Sequence, residues 1–161
     1  ITSDQVNLGV VQFSETADIV INLSDDPAAI HTAITNLVQM KLDTNTYDGF
    51  DTAKTIFDTK ARPNTAGKIA ILMTDGMQNQ GPPAKGKSDA MKAENITIFG
   101  IGVGPAVQKT EIESWVTVPA TGHYFQVTAF SQLEKILQAI LAAACKHPHP
   151  PSPPNPALVE P

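Results

Sequence analysis

Ile69-Ala70-Ile71-Leu72-Met73-Thr74-Asp75-Gly76 joins an unbroken apolar run to an acidic turn. Continuous hydrophobicity of this length predicts a strand of a parallel sheet covered by helices on both faces. Asp75 closes the run, so its carboxylate stands at the strand's carboxyl end, where open α/β sheets place their ligand sites. Upstream, Thr44-Asn45-Thr46 forms a second oxygen-rich cluster where a loop leaves a buried element. Two such loops side by side suit a hard divalent cation, because Mg²⁺ takes oxygen ligands in near-octahedral geometry and keeps some water. Taken singly, each loop reads as ordinary local chemistry: Asp-Gly is a common turn pair, and Asn-Thr a common cap neighbourhood.

Outward from these loops the chain alternates strand and helix, the pattern of a mostly parallel sheet with helices on both faces. Asp26-Pro27 reads as N-cap and first helical residue, followed by Ile30, Ile34, Leu37 and Val38 at helical spacing. A second helix follows the Thr44 loop, with Phe50, Ala53 and Phe57 as its buried stripe and Pro63-Asn64 as its stop. Thr110-x-x-Glu113 and Ser131-x-x-Glu134 both fit the capping box. Leu133, Ile136, Leu137, Ile140, Leu141 and Ala144 give the last helix one apolar face. Residues 1–145 therefore read as one domain. Residues 146–161 are too proline-rich for helix or central strand and read as an extended linker or tail, with His147 and His149 as solvated linker residues.

Composition narrows the function. A chain of 161 residues, 42% hydrophobic, is long enough to bury a core. Sixteen acidic against eleven basic residues, net −5, argue against nucleic acid as a partner. No apolar run approaches the ~20 residues of a spanning helix. Gly100-Ile101-Gly102-Val103-Gly104 has one residue before its third glycine where a dinucleotide loop needs two, and Pro105 follows at once; close packing is the better reading. No nucleophile elbow or phosphate loop occurs, so the sequence reads as non-enzymatic and a small-molecule substrate is not expected.

In order and spacing the motifs resemble a von Willebrand factor A domain. Val6–Ser14 is similar to that family's second strand and Ala17–Leu23 to its antiparallel third strand. Thr44-Asn45-Thr46 matches its threonine loop, Thr74-Asp75-Gly76 its aspartate loop, Ile98–Gly104 its fifth strand, and His123–Val127 with Phe130–Leu133 its sixth strand and final helix. The resemblance implies a doubly wound, Rossmann-like open sheet with one antiparallel edge strand. The family also opens with a central strand, an Asp-x-Ser-x-Ser loop supplying three metal-site residues, and a helix. None of these occurs in this sequence, which therefore reads as a fragment whose sheet would fall into two halves with facing edges unpaired.

The resemblance further implies a metal-ion-dependent adhesion site (MIDAS) at the carboxyl ends of the strands. It would hold Mg²⁺, or Mn²⁺ or Ca²⁺, in the complete domain, with Thr44 and Asp75 as ligands and an acidic residue of a protein partner in the open coordination position. Without the Asp-x-Ser-x-Ser loop, metal binding by this chain alone is doubtful. Asn45, Thr46 and Gly76 support the loops, Thr46 by ordering its loop or capping the next helix. Asp43 stands where the family usually has glycine, and its carboxylate either adds charge to the site or faces water. Cys145 occupies the position at which extracellular members carry a cysteine paired with one before the first strand, so its partner would lie outside this chain. Asn22-Leu23-Ser24 and Asn95-Ile96-Thr97 are glycosylation sequons compatible with secretion. The implied function is extracellular adhesion or matrix interaction. The alternative is an intracellular A-like scaffold subunit of a metal-insertion or transport assembly.

Overall fold

The computed structural model describes residues 6–40, 43–61 and 67–144. Strands β1 (Leu8–Phe13) and β2 (Ala17–Ser24) pair antiparallel, from Leu8 opposite Ser24 to Phe13 opposite Ala17, with irregular register around Val10. Helices α1 (Pro27–Thr35) and α2 (Thr46–Lys60) follow. Strand β3 (Lys68–Thr74), helix α3 (Lys85–Ala93), strand β4 (Ile96–Val103), helix α4 (Lys109–Trp115), strand β5 (Tyr124–Val127) and helix α5 (Leu133–Ala144) complete the order. β3, β4 and β5 form a parallel sheet in that order. Among the described residues no strand joins it to the β1–β2 pair. The fold is α/β, with its sheet in the two halves that the sequence implied.

β4 is central, and its alternate residues serve two cores. Ile96 and Ile98 face a cluster with Phe50, Leu72, Met91, Ile112, Trp115 and Val116, contributed by α2, β3, α3 and the α4 segment. Ile101 and Val103 join Val127 and Ile140, with Leu133 and Ile136 of α5 packed against them. Gly100 and Gly102 make the first packing possible. A Cβ on Gly100 would lie 2.4 Å from Ile112 Cγ2 and 2.8 Å from Val116 Cγ1. The glycines thus admit α4 to the sheet, as the close-packing reading requires. Helix α2 couples the halves: Phe50 meets Trp115 edge to face at 6.1 Å, and Phe13 of β1 packs so closely over Gly49 that a Cβ there would stand 3.0 Å from its ring.

Several local expectations are corrected. The apolar run before Asp75 is covered on one face only: Leu72 is buried, while Ile71 and Met73 are 53% and 41% exposed. The reason is that α5, on that face, packs over residues of β4 and β5 and gathers none of β3. Leu37 and Val38 lie beyond α1, which ends at Thr35 and buries no residue. Neither capping box forms. α4 begins at Lys109 after Gln108, ahead of Thr110, and Glu111 turns outward to accept the Gln78 N–H. A 3-10 turn starts at Phe130, ahead of Ser131, and Gln132 Oε1 reaches back to the N–H and hydroxyl of Thr128. Helix α3 had no expectation, since only Ser88 and Met91 of its nine residues are buried and the apolar stripe is too thin to read. The stop at Pro63-Asn64 and the tail lie outside the described residues.

Two outcomes test this packing. Gly100→Ala overfills the α4 contact and should cost about 1–3 kcal/mol, whereas Gly86→Ala, in α3 with nothing near its Cβ, should add about 0.4–1 kcal/mol; denaturant melts read both. The 161-residue chain on its own should bind an apolar dye and associate as concentration rises, through the open β3 edge and face. Ile71→Lys should reduce both, and a dye-negative monomer at every concentration would contradict the open edge.

Candidate functional site

The threonine loop is tied to both half-sheets. On the β1 side, Asn45 N–H donates to the Ser14 carbonyl at 2.7 Å, Ser14 Oγ donates to the Asp43 carbonyl at 3.1 Å, and Asn45 Nδ2 donates to the Glu15 carbonyl at 3.0 Å. Asp48 of α2 adds a further tie by accepting the Ala17 N–H at 2.9 Å. On the β3 side, Thr44 N–H donates to Asn79 Oδ1 at 2.7 Å, and the Thr44 carbonyl accepts from the N–H groups of Asn79 and Gln80 at 3.1 and 3.4 Å.

The aspartate loop is shaped by its own side chains. Thr74 Oγ1 bonds to both the N–H and the carbonyl of Gly76, closing the turn at Asp75. Gln78 Nε2 donates to the Gln80 carbonyl at 3.0 Å, and Gln78 Oε1 accepts the Ala84 N–H at 3.0 Å, folding the chain back towards α3. The carboxyl ends of β1 and β3 open on one cleft of about 250 Å³. Ser14, Asp43, Thr44, Thr74 and Asp75 line it with polar groups, and Val11, Phe13, Leu37, Met40 and Met73 are among its apolar walls.

The structure thus brings Thr44 and Asp75 together, with Gly76 so close that a Cβ there would stand 3.4 Å from Thr44 Oγ1. Asp43 is exposed at this cleft, and its Oδ1 accepts from Asn79 Nδ2 at 3.1 Å. Its carboxylate thus faces solvent and also has a hydrogen-bond partner in the loop after β3. Thr46 does not cap α2. Asn45 does, through Oδ1 and the Asp48 N–H at 3.1 Å, because the helix starts at Thr46 and the cap falls one residue earlier. Thr46 is 1% exposed and its hydroxyl has no partner among the described residues. Asn22 and Asn95 are both exposed, Asn95 at a left-handed φ of 60° just after α3. Cys145 lies outside the described residues.

Ser14, Gln78, Asn79 and Gly81 were not read from the sequence as part of the site. The polar run Gln78-Asn79-Gln80-Gly81 after Asp75-Gly76 was the available signal. Gly81 has φ +77°, and a Cβ there would lie 2.3 Å from Asn45 Oδ1, the capping oxygen of α2. Away from the cleft, Lys87 of α3 pairs with Asp51 of α2 and lies 5.3 Å from the Tyr47 ring centre. The hydrogen bond that Lys87 donates to Asp51 raises the Lys87 pKa, keeping the ammonium charged.

The architecture, an A-like sheet with paired threonine and aspartate loops at its carboxyl end, defines a class. The family model for the von Willebrand factor type A domain matches residues 1–139, and this chain belongs to that family. It is 26% identical to the human collagen alpha-1(XXI) chain over 144 residues, covering 88% of this chain and 15% of the collagen chain. It is 29% identical to the mouse collagen alpha-4(VI) chain over 151 residues, covering 90% and 6% respectively. It therefore spans only a small part of those collagen chains. Among solved structures, it is similar to proximal thread matrix protein 1 of the mussel byssus, solved with zinc occupying its MIDAS motif. The TM-score is 0.77 and the identity 28%, covering 86% of this chain and 36% of that one. These relatives belong to extracellular matrices, and among the described residues no helix is long and apolar enough to cross a membrane.

The loop geometry is tested by comparing two left-handed glycines. Gly104→Ala pays only the backbone strain, since nothing lies within 4 Å of its Cβ, whereas Gly81→Ala also displaces the Asn45 cap. Left-handed strain alone costs on the order of 1–3 kcal/mol, and Gly81→Ala should exceed Gly104→Ala by about a further 1 kcal/mol. Equal losses in denaturant melts would mean that Asn45 can move aside freely.

Proposed function

We propose that this chain is an extracellular, non-enzymatic protein-interaction module that captures an acidic side chain of a protein partner through a divalent cation held by Thr44 and Asp75. One observation carries the reading. Among the described residues the Thr44 hydroxyl and the Asp75 carboxylate make no hydrogen bond or ion pair, while the polar side chains around them on the cleft, Ser14, Asp43 and Thr74, are all engaged. Two uncommitted oxygen groups on one solvent-open cleft are what a ligand requires.

The donor chemistry fits a hard cation. Hydroxyl and carboxylate oxygens suit Mg²⁺, Mn²⁺ or Ca²⁺. The donor number is low, since Thr44 and Asp75 supply two ligands and the remainder must come from water, the partner and the Asp-x-Ser-x-Ser segment that this sequence lacks. Affinity in the chain alone is accordingly weak. A bound cation would supply a positive charge facing the cleft, which accounts for an acidic rather than a basic partner. The extracellular placement rests on the collagen-type relatives and on the two exposed sequons.

Calorimetric titration with Mn²⁺ should show binding that Asp75→Ala abolishes, because a fixed negative charge is lost. Thr44→Ala should weaken it less without partner and more in the presence of a glutamate-bearing peptide. Capture of that peptide should vanish in chelator and when its glutamate is replaced by glutamine. Equal Mn²⁺ binding by wild type and Asp75→Ala would overturn the reading.

A further inference from the structure

We propose that Asn79 is the positioning residue of the cation site, locking the Asp43–Thr44 segment to the Asp75 turn and making Asp43 a second carboxylate of that site. The inference rests on the cation reading above; it adds Asn79, which neither the sequence motifs nor the family resemblance supplied, and takes up the charge-adding role that the sequence left open for Asp43.

Thr44 is bracketed by residue 79 through its main chain: its N–H goes to Asn79 Oδ1 at 2.7 Å and its carbonyl receives the Asn79 N–H at 3.1 Å. This reciprocal pair fixes the Thr44 backbone while leaving its hydroxyl free. The other end of the same side-chain amide, Nδ2, donates to Asp43 Oδ1 at 3.1 Å. A side-chain amide presents its acceptor and its donors from one rigid plane. Asp43 and Thr44 are therefore held together as one body. Asn79 follows Asp75 in the same loop, so the body it holds is set against the aspartate turn. Only Oδ1 of Asp43 is committed, and its other oxygen remains available at the cleft that Thr44 and Asp75 line. Partners of this kind, which touch the ligands and not the ion, commonly change metal affinity by about 10- to 100-fold when removed.

The test uses the 161-residue chain with Mn²⁺ alone as probe, and compares Asn79→Ala, Asp43→Asn and Asp75→Ala. Asn79→Ala should weaken Mn²⁺ roughly tenfold and should accelerate hydrogen exchange at the Thr44 amide, its donor partner being gone. Asp43→Asn keeps an acceptor oxygen for Asn79 Nδ2 but removes the charge. It should therefore weaken Mn²⁺ while leaving Thr44 exchange as in wild type. Both residues are exposed, so the metal-free unfolding midpoints should stay close to wild type, which a purely structural role would not predict alongside lost affinity. If Asp75→Ala abolishes binding but Asn79→Ala binds as wild type, the positioning role is wrong and the cation reading stands. Unaltered Mn²⁺ binding in Asp43→Asn removes Asp43 from the site. If Asp75→Ala binds as wild type, the cation reading fails and this inference fails as a statement about a cation site; unchanged Thr44 exchange in Asn79→Ala would also deny the lock itself.

Discussion

A single peptide group, Thr44–Asn45, hangs one loop between two sheets that, among the described residues, share no strand. The Asn45 N–H reaches the Ser14 carbonyl at the end of β1, and the Thr44 carbonyl receives the Asn79 and Gln80 N–H groups from the loop after β3. Were either set lost, the carboxyl ends of the half-sheets would be joined there only through side-chain hydrogen bonds and packing. The same loop starts α2, whose first turn is capped by Asn45 and whose buried face carries Phe50 into the main core. Cleft geometry, helix initiation and the junction between the halves thus depend on a handful of main-chain hydrogen bonds. Each is worth about 0.5–1.5 kcal/mol net, and more if a buried partner would be left unpaired.

The polar groups at this junction divide by burial. Ser14 is buried and fully used: its N–H, carbonyl and hydroxyl all have partners. Asp75 is exposed and unused, at little cost, because water solvates a carboxylate that the protein does not. Thr46 is the exception, with a buried hydroxyl that has no partner among the described residues. An unsatisfied buried group costs about 1–3 kcal/mol, so the position carries strain of solvation that a neighbouring donor or acceptor would relieve. Its backbone role explains why it is tolerated, since Thr46 begins the helix that joins the halves.

The large-scale fold was legible because it is written in hydrophobic period and order. The β4 run and the stripe Phe50–Ala53–Phe57 pack into the core as their pattern predicts, and on α5 Ile140 is buried with Leu133 and Ile136 packed beside it, while Leu137 of the expected face is 48% exposed. The two ligand candidates were legible as oxygen-bearing residues at strand and loop ends. What sequence could not supply were relations between distant residues. Ile71 and Met73 have the composition of a doubly covered strand, yet α5 packs over β4 and β5 on that face, and which strands a helix covers is a property of tertiary packing, not of the strand's own residues. Asn79 looks like any polar loop residue until its amide is seen to join Asp43 and Thr44. The capping-box patterns failed for a similar reason. Thr110 and Ser131 have the right neighbours, but the helical turns begin before them, with Gln108 in the cap position of α4 and Gln132 reaching back to Thr128.

The open edge and the candidate site are on the same strand, and this links stability to ligation. Asp75 is fixed by β3 and its turn, whereas Thr44 is held by Asn79 and Gln80 of the following loop and, through the adjoining Asn45 N–H, by Ser14 at the end of β1, so a ligand touching both engages them in full register only when the halves are correctly assembled. Binding restricted to the assembled state stabilises that state by RT ln(1 + [L]/Kd), about 2.7 kcal/mol at a hundredfold excess over Kd. On the proposed reading, a cation would therefore act on the weakest seam of the fold as well as on the partner. The converse also holds by linkage: anything that strengthens the seam, such as a strand paired to the β3 edge, raises the population competent to bind and with it the apparent affinity.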